Sequence, residues 1–270
     1  MATPPRDPAR IETAHPVVRF LRRRIARGVP YGLATTLAFA VVALGVWGFV
    51  AILDAWTTAG DLARWDDQAH DALYHAFGAD RQLGLAVTWF GNNTTLTAGV
   101  VLVALALVVA KRYWAAFRVA FASGVGGLVV LGLKSLFSRA RPLEQVVEAS
   151  GYSFPSGHAF GSTVFYGMMI YLAWRLSKRR WVRALAAVVF TTLLVAVGLS
   201  RVYLNVHYLT DVVAGWLSGT VWLVASLWVI DLVETRYRSR TEEAEDAGRP
   251  DDAGPQAHPR ADAAVETVAS

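Results

Sequence analysis

No cysteine occurs in the 270 residues, which removes disulfides and thiolate metal ligands and leaves the redox compartment undetermined. Charge is scarce as well: 17% of residues are Asp, Glu, Lys or Arg, where a soluble domain averages about a quarter. With 54% hydrophobic residues and a mean hydropathy of +0.37, the composition points to a membrane protein. The net charge of +5 would suggest a nucleic-acid partner in a soluble chain. Here the basic residues collect at the ends of apolar runs, so orientation in a bilayer explains them and no nucleic-acid partner is expected.

What is present is a series of long apolar runs. The length fits one domain with tails, divided here as a basic N-terminal segment (1–28), a membrane domain (29–235) and a polar tail (236–270). The block Arg19 to Arg27 precedes a charge-free run from Tyr31 to Leu53, long enough to span a hydrocarbon core of about 30 Å and too long for a removable signal peptide. Further spans are expected at Thr94–Ala110, Trp114–Leu136, His158–Trp174, Ala184–Leu199 and Val206–Ile230. The fold class is therefore all-α, a bundle of six transmembrane helices.

Between the first two spans, Asp54 to Asn93 is acidic, and its apolar residues recur at near-helical spacing. It reads as one or two amphipathic helices at the membrane interface. Asp66, His70 and His75 raise the thought of a metal site, but without a third convincing ligand at regular spacing a solvated helical face is the better reading, and no metal is assigned. Gly124, Gly126, Gly127 and Gly132 would let neighbouring helices approach closely. They could equally mark a homodimer face; packing within one chain is the simpler account. Beyond Arg240 the composition predicts disorder.

Basic clusters sit before span one, between spans two and three, between four and five, and after six. The positive-inside rule then puts both termini in the cytoplasm and the remaining loops outside. Those outer loops carry nearly all the chemistry. Lys134 and Arg141 lie seven residues apart, with Pro142 biasing Arg141 out of the helix. Pro155-Ser156-Gly157-His158 opens the fourth span, where backbone N–H groups at a helix start attract anions. Ser200-Arg201 leads to His207 and Asp211, which are i and i+4 on a helix that Asn205 would cap. A carboxylate beside an imidazole accepts the Nδ1 proton and leaves Nε2 free as a nucleophile. Each piece has a plain alternative: a self-satisfied His–Asp pair, an ordinary helix start, a lysine snorkelling at a helix end. All of them falling on one membrane face make that joint alternative improbable, and charged groups at span margins are functional by default. The set suggests a phosphate site.

Lys-x6-Arg-Pro, Pro-Ser-Gly-His and Ser-Arg-x5-His-x3-Asp together resemble the signature of the type 2 phosphatidic acid phosphatase family. Its wider superfamily includes bacterial acid phosphatases and vanadium haloperoxidases. The motifs cover Lys134 to Asp211, and the span layout extends the likeness to Tyr31–Ile230. The resemblance implies a metal-free, cofactor-free lipid phosphatase acting at the outer face of the cell membrane through a phosphohistidine. On this chain His207 would be the nucleophile, oriented by Asp211. Lys134, Arg141, Arg201, Ser156 and Gly157 would hold the phosphate, and His158 would protonate the leaving oxygen. Phosphatidic acid, phosphatidylglycerol phosphate and a polyprenyl diphosphate all fit as substrates, with membrane lipids as surroundings. A phosphotransferase, a vanadium haloperoxidase and a non-catalytic membrane scaffold are the competing readings.

Overall fold

The computed structural model describes residues 33–58, 61–78 and 81–247; the basic N-terminal segment and the end of the tail lie outside them. Every regular element among the described residues is an α-helix. In chain order these are α1 (Leu33–Thr58), α2 (Asp61–Phe77), α3 (Arg81–Trp89), α4 (Asn93–Val109), α5 (Tyr113–Phe137), α6 (Gly157–Leu176), α7 (Arg180–Tyr203) and α8 (Leu209–Ala247). A short turn separates α3 from α4, and Asn92 caps α4 by accepting the Thr94 N–H at 3.2 Å.

Among the described residues five stretches are long and apolar enough to cross a membrane: Thr35–Thr58, Arg81–Val109, Tyr113–Phe137, Arg180–Tyr203 and Leu209–Ala244. The fourth expected span, α6, is not among them, so five of the six expected spans meet that test. The reason is its position. Phe160, Ser162, Thr163, Val164, Tyr166 and Met168 are all buried, with α4, α5 and α7 packed around the helix. A helix wrapped in protein need not meet the hydropathy that lipid demands. The outer helices show the complementary pattern, with Leu44, Leu128, Leu136 and Val109 between 66% and 83% exposed.

The core joins α5, α6 and α8 through Val119, Ala122, Phe160, Val164, Met168 and Leu223. Arg118, the charge inside the third span, is buried and ion-paired with Asp231. Of the four glycines expected to admit close neighbours, only Gly126 does so: a Cβ there would lie 2.8 Å from the Trp222 indole nitrogen. Gly124, Gly127 and Gly132 face open space. Close approach to backbone is found instead on α8. A Cβ on Gly215 would meet the Ser156 carbonyl at 2.7 Å, and one on Gly219 the Phe160 carbonyl at 3.0 Å. Two glycines four apart on one face let helices approach to backbone contact.

The acidic stretch before the second span differs from expectation in an informative way. It is helical, but α2 and α3 pack against the C-terminal end of α7. Tyr203 donates to the Gly78 carbonyl at 2.7 Å, a ring nitrogen of His70 lies 3.0 Å from the Val202 carbonyl, and Gly84 rests on Tyr203 and Leu204. Asp66 is 2% exposed, so it is not on a solvated face. Among the described residues no three metal-ligating side chains converge. At the other end of the chain α8 continues to Ala247, past the point where the composition predicts disorder. Its last turns are rich in helix-forming Glu, Arg and Ala, and Glu234 accepts from Arg238 at 2.6 Å, an i,i+4 pair of the kind that supports a helix.

Candidate active site

Four helix ends meet where the motifs lie: the C-termini of α5 and α7 and the N-termini of α6 and α8. The helix α5 stops at Ser138, whose left-handed backbone (φ 48°) turns the chain inward while its N–H donates to the Lys134 carbonyl at 3.0 Å. The loop that follows is stitched to its neighbours by backbone. Ser153 N–H donates to the Arg139 carbonyl and Ser156 N–H to the Asp211 carbonyl, both at 2.8 Å. Arg141 reaches back as its sequence context suggests. Its guanidinium donates to the carbonyls of Val206 at 2.8 Å, Gly151 at 2.9 Å and Ser150 at 3.1 Å. Each of the three motifs thus holds another in place.

The chain leaves α7 by a tight turn. Asn205 adopts φ 50°, a left-handed conformation that asparagine tolerates better than most residues. The N–H groups of Val206 and His207 both return to the Arg201 carbonyl. Asn205 therefore does not cap α8; its amide donates to the Glu144 carbonyl at 2.9 Å. The helix begins at Leu209, so His207 precedes it instead of lying in its first turn. Asp211 nevertheless reaches His207 by folding back over the helix start. One oxygen accepts the Tyr208 N–H at 3.0 Å and lies 3.3 Å from His207 Nδ1. Ser153 Oγ donates to that same oxygen and lies 3.3 Å from Nδ1.

Asp211 is fully buried and His207 is 2% exposed. Burial, together with the Arg141 and Lys134 charges, outweighs the pull of Asp211 and pushes His207 down to about 4. The imidazole is neutral at neutral pH. With Asp211 as acceptor its proton sits on Nδ1, and Nε2 turns toward Arg141 Nη1 at 3.2 Å. Burial also lowers Arg141 from its ordinary value, against the attraction of Asp211.

Lys134, Arg141 and Arg201 come close enough for their charges to act on one another and on His158. Lys134 Nζ is held by the Tyr152 carbonyl at 2.5 Å, and its stem passes the position a Gly157 Cβ would occupy at 3.5 Å. Arg201 is 6% exposed and donates through one terminal nitrogen to Thr88 at 2.7 Å, while its Nε has no hydrogen-bond partner among the described residues. Ser156 is the N-cap of α6, its hydroxyl 3.5 Å from the Ala159 N–H; Pro155 stands before the cap, outside the first helical turn. The Ser156 N–H is already taken by the Asp211 carbonyl. The first-turn N–H groups at Gly157 and His158 are the ones a helix start leaves for an anion.

Three residues central to this arrangement carry no role in the sequence reading. Arg139 is buried and bridges Asp211 at 2.6 Å and Asp66 at 3.1 Å. Asp66 also accepts from the N–H and hydroxyl of Thr210 at 2.9 and 2.8 Å; burial raises its pKa against the pull of those partners. Ser153 completes the shell of Asp211. The signal for Arg139 was its place inside the first motif, two residues before Arg141. For Asp66, far away in sequence, there was none.

Residues 115–234 match the family model described as the PAP2 superfamily, and all three motifs fall inside them. Phosphatidylglycerophosphatase B of Bacillus subtilis (strain 168) is 29% identical over 138 residues, 49% of this chain and 66% of that protein. Glucose-6-phosphatase 3 of Homo sapiens is 35% identical over 81 residues, 28% of this chain and 23% of that protein. The chain thus matches just under two thirds of the first relative's length and less than a quarter of the second's. A crystal structure of a transmembrane PAP2 type phosphatidylglycerolphosphate phosphatase from Bacillus subtilis superposes with a TM-score of 0.62, covering 74% of this chain and 96% of that one at 21% identity. That likeness speaks for the fold. Over residues 115–234, which carry all three motifs, the chain is therefore similar to the PAP2 superfamily.

Proposed function

We propose that this protein is an integral membrane phosphatase that hydrolyses a lipid phosphate or diphosphate through a phosphohistidine at His207. The observation that carries the reading is the convergence of Lys134, Arg141 and Arg201 on a neutral, buried His207–Asp211 pair at one end of an apolar bundle. Nε2 of His207 attacks phosphorus and the bond to the leaving oxygen breaks. His158, which takes up a proton once the bound phosphate dianion offsets the cations around it, gives that oxygen a proton. The three cations hold the phosphoryl oxygens and stabilise the charge that spreads over them, the dominant contribution in such chemistry. Water then attacks the phosphohistidine, His158 takes its proton, and phosphate leaves. Asp211 holds the Nδ1 proton throughout, with Ser156 and Gly157 shaping the helix start beneath the phosphate.

A groove favours a lipid over a soluble phosphate ester. About 540 Å³ in volume, it runs between α4, α5 and α6, lined by Leu96, Val100, Leu128 and Phe165, and reaches Lys134 and Gly157 at one end. An apolar tail there would deliver its head group to the cations. The basic turns Lys111–Arg112 and Lys178–Arg179 sit at the opposite helix ends, which supports an extracytoplasmic site with cytoplasmic termini. Phosphatidic acid, phosphatidylglycerol phosphate and a polyprenyl diphosphate should be presented in detergent micelles and released phosphate measured, with His207→Ala as reference. Turnover by the wild type and none by the variant is expected. Equal release from both would sink the scheme.

A further inference from the structure

The proposed chemistry leaves Arg139 without a part, yet it is one of the most constrained side chains in the molecule. It is 8% exposed. One terminal nitrogen donates to Thr210 Oγ1 at 2.8 Å and Asp211 Oδ1 at 2.6 Å, and the other to Asp66 Oδ2 at 3.1 Å. Its flat faces are covered by the rings of Tyr208 at 4.2 Å and Trp56 at 5.3 Å. Both terminal nitrogens are engaged, which leaves little to offer a phosphate. The opposite oxygen of Asp211 serves His207, Ser153 and the Tyr208 N–H. Arg139 and His207 therefore share one carboxylate from opposite sides.

Building on the phosphatase reading above, we propose that Arg139 is a positioning residue, clamped between Asp66 and Asp211, that fixes the carboxylate behind His207 and limits its pull on the imidazole. The physical need is clear. A buried carboxylate left alone with an imidazole favours the ion pair in which the imidazole is protonated and cannot attack. A guanidinium on the far oxygen satisfies much of that negative charge, so Asp211 can orient the ring without protonating it. The planar fork suits this task, because it addresses two carboxylates at once; an ammonium would supply the charge without the geometry. Asp66 is the second anchor. It comes from α2, outside the residues 115–234 that match the superfamily, so the helix preceding that region helps to build the site.

The signs of the effects separate this role from a merely structural one. The groups facing His207 are Asp211 from α8, Arg141 from the α5–α6 loop, Lys134 from α5 and His158 from α6, with Arg201 of α7 acting on His158. None of these is altered in the variants that follow. Removing the Arg139 charge makes the surroundings of His207 more negative and should raise the pH at which it protonates. Removing the Asp66 charge does the opposite, since Arg139 then draws more strongly on Asp211.

The test measures pH profiles of kcat and kcat/KM for R139M, R139K and D66N in detergent, beside wild type and His207→Ala. In parallel, the His207 imidazole is titrated by 15N NMR of histidine-labelled protein, its signal identified by its loss in His207→Ala. For R139M, kcat should fall about 10–100-fold, as for other groups that orient a catalytic ligand, with KM changed less than about twofold. Its acid limb and the imidazole titration should both rise by about one pH unit. R139K should lose kcat but keep the limb near its wild-type position. D66N should move the limb down, and the D66N/R139M double variant should lose no more kcat than R139M alone. A many-fold rise in KM with kcat intact would instead make Arg139 a phosphate ligand and overturn the assignment. An unmoved titration in a folded variant would reduce it to a structural brace. Should R139M not fold, the downward shift in D66N decides alone. If wild type hydrolyses none of the lipid phosphates, the phosphatase reading fails, and the NMR titration still decides the role of Arg139.

Discussion

Replacing Gly215 by Ala tests whether helix packing, as distinct from the motifs themselves, sets the geometry of the site. The added Cβ would lie 2.7 Å from the Ser156 carbonyl oxygen, 2.9 Å from Ala159 Cβ and 3.2 Å from the Phe160 nitrogen. All three belong to a rigid helix start, so none can step aside as the tip of a long side chain would. Comfortable carbon contacts need about 3.5 Å, and relief requires α6 and α8 to part by several tenths of an ångström to about 1 Å. Overpacking of this kind costs about 1–3 kcal/mol. The functional loss should exceed what stability alone suggests. Ser156 N–H is bonded to the Asp211 carbonyl at 2.8 Å, so the parting moves His158 and Gly157 away from His207. A misplacement of about 1 Å costs up to about 10²-fold in rate. The control is Gly132→Ala on α5, where nothing lies within 4 Å; a helical Gly→Ala change should there be neutral or stabilising by up to about 1 kcal/mol. Thermal midpoints in detergent and initial rates of phosphate release compare the two. Wild-type rate and stability in Gly215→Ala would refute the idea that this contact holds the site together.

The remaining predictions concern protonation, leaving group and orientation. Because burial holds His207 near 4 against an ordinary 6.5, the unfolded chain binds the proton more readily between those values. Stability should therefore fall by about 3 kcal/mol as pH drops through that window, and thermal midpoints of His207→Ala should show a flatter pH dependence. If His158 donates a proton to the leaving oxygen, His158→Ala should cost about 10²–10⁴-fold with an alkyl phosphate and much less with p-nitrophenyl phosphate. Equal losses on both would make His158 a binding residue. Single cysteines at Glu148 and Ser177 should react differently with an impermeant thiol reagent in intact cells; labelling at Ser177 alone would invert the proposed topology.

The three motifs were legible because each concentrates unusual chemistry in a few adjacent residues against an apolar background. What stayed hidden depends on partners remote in sequence. Asp66 lies in a segment whose abundant carboxylates resemble a solvated face, and only the folded chain brings it to Arg139, 73 residues away. The helix α6 is less apolar than the other expected spans for a related reason, since it is surrounded by protein and not by lipid. Asn205 suits a helix cap by residue type but serves a left-handed turn, a choice that the exit from α7 dictates and local propensity cannot reveal. The glycines of α5 drew attention by their number, whereas the pair that matters, Gly215 and Gly219, is sparse and depends on the opposite face of α6.

Charge balance explains why so apolar a protein concentrates so many ions at one end. Asp66 and Asp211 divide Arg139 between them, while Lys134 and Arg141 are held mainly by backbone carbonyls and Arg201 by a threonine hydroxyl. Carbonyl oxygens and hydroxyls position a cation without neutralising it. The cluster consequently keeps a surplus of positive charge with His207 neutral, in a place where unpaired ions are costly. On the proposed function, a phosphate dianion would supply the missing charge. The same cations that are poorly compensated in the free protein would become paired when the head group arrives, so part of the binding affinity would be stored in the fold as unspent electrostatic attraction. Arg139 makes that arrangement workable. By absorbing the charge of Asp211, it keeps the carboxylate from acting as the counter-ion of the phosphate cradle, and the cradle stays open for substrate.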